Sequence, residues 1–97
     1  TSLGARQVAQ SAFDWSGEHP VRSVVVSDSD AVRACTRFMD EQRVVVEPAC
    51  GAALAAVYAN APQLDGLRQV LVIVCGGVTA TVAQLQDWER GFATARK

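Results

Sequence analysis

The residues that could do chemistry are few. Cys75-Gly76-Gly77 follows the unbroken apolar run Val70-Leu71-Val72-Ile73-Val74. A half-buried strand alternates apolar and polar residues, so a continuous run bounded by glycine predicts a strand buried on both faces, as in the middle of a parallel sheet. In open α/β sheets, ligands occupy the crevice beyond the carboxyl ends of the strands, and Cys75 stands at that end. Gly76 and Gly77 allow a sharp turn or the close approach of a ligand. The competing reading of Cys75 is a small core hydrophobe, because free cysteine is among the most buried residue types. The second candidate is Glu47, between Val44-Val45-Val46 and an apolar helix opened by Pro48. A carboxylate there is expected to be paired or to face a pocket, since burying it alone is costly. The alternative is that it caps the helix start.

Other chemistries have little to build on. His19 is the single histidine and precedes Pro20, so a histidine-based metal site or a Ser-His-Asp triad is not expected. Cys35, Cys50 and Cys75 are odd in number and widely spaced, without a CxxC pair. That argues against a disulfide framework and for a reducing compartment such as the cytoplasm. There is no GxGxxG and no GxxxxGK[ST], which leaves a nucleotide-binding βαβ unit turning on Gly76-Gly77 weakly supported.

The elements that must position these residues follow from periodicity and punctuation. Residues 5–16 read as a helix, with Val8, Ala9, Ala12 and Phe13 on one face. Val21 to Ser27, around Val24-Val25-Val26, reads as a strand. Ser27-Asp28-Ser29-Asp30 offers N-caps for a helix to about Gln42, with Ala31, Val32, Cys35, Phe38 and Met39 inward. Arg43-Val44-Val45-Val46 is a second short strand. Pro48 suits the first turn of a helix running to Asn60, apolar nearly all round and so buried on most sides. Pro62 and Asp65-Gly66 mark a loop. The last helix is expected to begin at Thr79 or Ala80, with Val82, Leu85, Trp88 and Phe92 inward.

The order α-β-α-β-α-β-α predicts an α/β fold: three layers, α-β-α, around part of a mostly parallel sheet. Ninety-seven residues with a net charge of −1 make one domain or part of one, with no internal boundary. Three strands without a sealed edge suggest a piece of a larger sheet. The balanced charge gives no basic patch for nucleic acid, and no apolar run approaches the ~18–20 residues of a membrane span.

Two strings carry a family resemblance. Val46-Glu47-Pro48-Ala49-Cys50-Gly51-Ala52-Ala53-Leu54-Ala55-Ala56-Val57-Tyr58 and Leu71-Val72-Ile73-Val74-Cys75-Gly76-Gly77 resemble the closing segments of the L-serine dehydratase family. Thr1-Ser2-Leu3-Gly4-Ala5 and the stretch from His19-Pro20 to Val26-Ser27-Asp28 resemble the same family in the same order. These are pyridoxal 5'-phosphate enzymes, serine/threonine ammonia-lyases of the tryptophan-synthase-β-like fold. The resemblance implies β-elimination of L-serine to pyruvate and ammonia, or of L-threonine to 2-oxobutanoate, in a homodimer. The cofactor acts as electron sink and the protein supplies orientation and electrostatics.

The resemblance also implies that Cys75 meets the pyridine nitrogen, where relatives use Ser or Thr. A neutral thiol does not force that nitrogen to carry a proton. Gly76 and Gly77 would let the backbone approach the ring edge, and Glu47 would lie at the same cofactor mouth. The family's cofactor-anchoring lysine, in a Ser-x-Gly-Asn-like segment, and its glycine-rich phosphate loop have no counterpart here, and the only lysine is Lys97. Its cation-binding carboxylate belongs to a segment upstream. No catalytic residue and no metal ligand is therefore assigned. The chain is expected to be the C-terminal part of the cofactor-binding domain, needing the N-terminal portion for activity. The rival reading is a non-catalytic α/β module that binds a partner through an uncovered sheet edge.

Overall fold

The computed structural model describes residues 5–95, so the opening Thr1–Gly4 motif and the lone Lys97 lie outside the described residues. Among the described residues there are four α-helices: α1 (Gln10–Glu18), α2 (Asp28–Gln42), α3 (Pro48–Tyr58) and α4 (Val82–Ala95), with a 3₁₀ turn at Pro62–Leu64.

Local chemistry sets most helix ends. Ser27 Oγ accepts the Asp30 N–H at 3.0 Å, and Asp28 and Asp30 complement the positive end of the α2 dipole. At the far end Arg43 turns into the left-handed region (φ 61°), its N–H donating to Met39 O at 2.8 Å. α3 opens with Pro48, whose missing N–H has no intrahelical partner to lose. α4 starts later than Thr79 or Ala80 because Thr81 and Gln84 form a capping box. Thr81 Oγ1 accepts the Gln84 N–H at 3.1 Å, and Gln84 Oε1 accepts the Thr81 N–H at 2.9 Å.

Among the described residues no strand forms, and the expected three-layer sheet is not present as a hydrogen-bonded ladder. The three runs read as strands remain between the helices. A strand is defined by its neighbours, because each backbone N–H and C=O along it needs a partner. Here the run before α3 and the run ending at Gly77 meet through one main-chain bond, Glu47 N–H to Gly76 O at 3.0 Å. The central run is not buried on both faces: Leu71 is 89% exposed and Ile73 74%, while Val72 packs on the core. That two-residue alternation is the signature of an extended segment covered on one side.

The core lies between α2, α3 and α4. Val32, Ala34 and Cys35 meet Cys50, Leu54, Ala55, Val46 and Leu85, with Val26, Val72 and Phe92 against them. The inward face expected for α2 is observed. α3 is less enclosed than its composition suggested, with Ala53 and Ala59 facing out. Of the residues expected inward on α4, Leu85 is fully buried, while Val82 and Trp88 stay partly exposed. Trp88 and Phe92 instead line a cavity of about 350 Å³ with Val26, Ala31, Pro48 and Ala52. α1 buries no side chain, so its apolar residue Phe13 remains uncovered by the described elements, as does Val8, which precedes the helix.

The closest approach in the core is at Gly51. A Cβ there would fall 2.0 Å from Ala31 O and 2.6 Å from Cys35 Sγ. Gly51→Ala gains about 1 kcal/mol of helix propensity but forces α3 away from the α2 backbone, and overpacking of this kind costs about 1–3 kcal/mol. The obstacle is a main-chain carbonyl, which cannot rotate aside, so the upper end applies. Gly51→Ala is expected to lower stability by about 1–2 kcal/mol net; a denaturant midpoint equal to or above wild type contradicts this.

Candidate functional site

Helix α3 and the segment that ends in Gly77 bring the chemistry-bearing residues together. Cys50 lies in the first turn of α3, fully buried, and its sulfur faces the backbone of residues 75 and 76. The N–H groups of Cys75 and Gly76 donate to Cys50 Sγ at 3.2 and 3.4 Å, and the Cys50 thiol reaches Gly76 O at 3.3 Å. The two sulfurs of Cys50 and Cys75 lie 2.7 Å apart. Cys75 is exposed, which sets aside its reading as a core hydrophobe.

Gly76 and Gly77 have different reasons to be glycine. Gly76 has φ +146°, a conformation side chains rarely adopt, and the space where its Cβ would point is open. Gly77 is pressed against the other segment: a Cβ there would fall 2.2 Å from Val45 O. One glycine thus leaves room in front of the site, and the other lets two backbones touch behind it.

Glu47 is the N-cap residue of α3, yet its side chain does not cap the helix. Its main-chain carbonyl accepts the N–H groups of Cys50 and Gly51 at 2.9 and 3.0 Å. Its carboxylate accepts the hydroxyl of Thr79. The carboxylate is therefore paired across the site rather than used at the helix end.

The thiols are electrostatically unlike. Burial alone would raise Cys50, but hydrogen bonds from the Cys75 thiol and from the Gly76 and Cys75 backbone outweigh it and bring Cys50 below the ordinary thiol value. The helix N-terminus acts in the same sense. Cys75 moves up, first through its hydrogen bond to Cys50 and then through desolvation. Cys35, inside the α2–α3 contact, is pushed up to about 11, chiefly by burial.

All four residues expected at the site, Glu47, Cys75, Gly76 and Gly77, are neighbours in space. The sequence reading missed Cys50 and Thr79. For Cys50 a signal was present: a thiol three residues into a helix that begins where Glu47 ends a strand-like run. Thr79 carried none, since its partner is 32 residues away. Among the described residues no group of three or more His, Cys, Asp or Glu could hold a metal ion, and no helix is long and apolar enough to cross a membrane.

A family model described as pyridoxal-phosphate dependent enzyme matches residues 1–76. The chain belongs to this family. Its curated relatives include the L-serine dehydratase/L-threonine deaminase of Bos taurus, 49% identical over 92 residues, which are 87% of this chain and 28% of the relative. The Homo sapiens protein with the same name is 45% identical over 93 residues, 88% of this chain and 28% of the relative. The L-serine dehydratase of Dictyostelium discoideum is 38% identical over 89 residues, 89% of this chain and 25% of the relative. The chain thus spans about 28% of the length of the first two. The exposed Cys75 thiol and the open space at Gly76 leave room for a pyridoxal-phosphate cofactor beside this chain.

A raised folded-state value means that Cys35 keeps its proton in the folded protein after the unfolded chain has lost it. Its stabilising contribution is complete below the ordinary thiol value of 9.0 and is lost as pH rises through about 11. The slope is at most about 1.4 kcal/mol per pH unit for one group. Melting curves between those two values are expected to fall more steeply for wild type than for Cys35→Ala; parallel curves refute the assignment.

Proposed function

We propose that this chain forms the cofactor-contacting end of a pyridoxal-phosphate dependent L-serine/L-threonine dehydratase, a cytoplasmic homodimeric lyase. The observation that carries the reading is the exposed Cys75 thiol, held by Cys50 next to the open space at Gly76. The names of the relatives support the substrate class, L-serine or L-threonine.

When bound, the cofactor supplies the electron sink for loss of the α-proton and the β-hydroxyl. The chain's own residues orient it. Cys75 presents a neutral partner to the pyridine nitrogen, and its raised value keeps the proton on sulfur. Gly76, without a side chain, admits the ring edge. Gly77 keeps the backbone seated on Val45, which would hold the thiol in position for the cofactor. Glu47 stays turned to Thr79 and so does not place a carboxylate against the ring nitrogen. The exposed Leu71 and Ile73 form the face on which a further helical layer of the same fold would pack.

Variants at position 75 of the holoenzyme test the reading. Cys75→Ser keeps a small neutral partner and is expected to retain substantial activity. Cys75→Ala removes a hydrogen bond of about 0.5–1.5 kcal/mol, with a rate loss of roughly two- to tenfold. Cys75→Asp favours a protonated ring nitrogen and shifts the balance toward side reactions such as transamination. If Cys75→Ala matches wild type in both rate and cofactor absorbance, the thiol does not meet the ring.

The single lysine also yields an expectation. Lys97 is the only one in the chain and lies far in sequence from the Cys75 site. The 97 residues by themselves should form no pyruvate from L-serine with added cofactor; production above a protein-free control contradicts the proposal.

A further inference from the structure

The Cys50 thiol has no task in the reading above except to hold Cys75, yet it is the more easily ionised of the two. Two main-chain N–H groups and a helix N-terminus surround its sulfur, an environment that favours thiolate. The partner sulfur at 2.7 Å needs to close only to the ~2.05 Å of a covalent S–S bond. Access is one-sided: Cys75 is exposed and Cys50 is fully buried. Cys35 is shielded within the α2–α3 contact near Gly51 and keeps its proton.

We propose that Cys50 and Cys75 form a reversible redox pair, in which a low-molecular-weight disulfide oxidises the two thiols to an intramolecular disulfide and withdraws Cys75 from the cofactor. The regulatory half of this inference rests on the proposed contact between Cys75 and the cofactor; the disulfide itself does not. In the first step Cys75 loses its proton to solvent and attacks one sulfur of the oxidant. A mixed disulfide forms on Cys75 and one small thiolate leaves. In the second step the Cys50 thiolate attacks Cys75 Sγ, the Cys50–Cys75 bond forms, and the second small thiolate departs. Each leaving thiolate takes up a proton, so two protein thiols are oxidised while one small disulfide is reduced to two thiols. The first step is the slow one, because the hydrogen bond to Cys50 holds the Cys75 proton. The second is the faster one, because its nucleophile is the more easily ionised thiol and lies in contact with its target. The open space at Gly76 gives the departing group an exit.

The test treats the full-length holoenzyme with oxidised glutathione and maps its tryptic peptides. The arginines at 33, 37, 43, 68 and 90 place Cys35, Cys50 and Cys75 on separate peptides, 34–37, 44–68 and 69–90. Wild type is expected to join 44–68 to 69–90, to leave 34–37 unmodified, and to release both peptides on treatment with dithiothreitol. Cys50→Ala should stop at glutathione on Cys75; Cys50→Ser, which keeps a polar side chain for the residue 75–76 backbone, gives the same readout if the alanine variant does not fold. Absence of the joined peptides in wild type, or an equal glutathione adduct in wild type and the Cys50 variants, overturns the redox pair and leaves the cofactor reading standing. Bound-cofactor absorbance is followed in the same samples and is expected to change on oxidation and return on reduction. A joined peptide with unchanged absorbance overturns the regulatory half and counts against Cys75 as the cofactor's partner.

Discussion

The close approach of α3 to α2 at Gly51 is the constraint from which the site follows. With the Cβ position of Gly51 lying against Ala31 O and Cys35 Sγ, the first turn of α3 is fixed against the middle of α2. No side chain could occupy that gap without moving a main-chain carbonyl. Cys50, the preceding residue, is then directed about a quarter-turn away, toward the segment 75–76. Glu47, one turn earlier, is placed at the rim, where its N–H meets Gly76 O and its carboxylate meets Thr79. One packing contact thus orders the buried thiol, the exposed thiol and the carboxylate.

A sulfur atom takes over part of what a backbone ladder does in a sheet. Where adjacent strands would exchange N–H and C=O groups, Cys75 and Gly76 instead direct their N–H groups to Cys50 Sγ. Sulfur is a weaker acceptor than a carbonyl oxygen while it is a thiol and gains strength when ionised. The same two N–H groups that satisfy the backbone therefore also lower the thiol. Structure and reactivity share these hydrogen bonds and cannot be tuned separately: a change that strengthens the backbone seat also favours the Cys50 thiolate.

The molecule leaves much apolar surface on one side of its extended segments and on α1. Val25, Leu71, Ile73 and Val78 are largely exposed, as are Phe13 and Trp15. Apolar side chains left this exposed along extended segments are available for another element or chain to cover. The α2–α3–α4 side, by contrast, carries its own small core and surface ion pairs such as Arg37–Glu41, of little stabilising weight at their exposure. The difference between the two sides fits a chain spanning about 28% of the relatives from Bos taurus and Homo sapiens.

The sequence by itself determined the local events. Ser27 before two aspartates, Pro48 at the head of an apolar run and the helical spacing of Ala31, Val32 and Cys35 settled where α2 and α3 form and which face of α2 turns inward, because caps and periodicity act within four residues. It also determined the family, through strings long enough to be specific, and marked Cys75, Gly76 and Gly77 by type and position. Tertiary structure alone decided that the apolar run at 70–74 is covered on one side, since burial depends on what stands opposite and not on the run's composition. It decided that Glu47 turns to Thr79 rather than to its own helix, and that the Cys50 sulfur meets a backbone 25 residues away. Those pairings join residues too distant along the chain for any local pattern to encode; they exist because the α2–α3 packing brings them to one place.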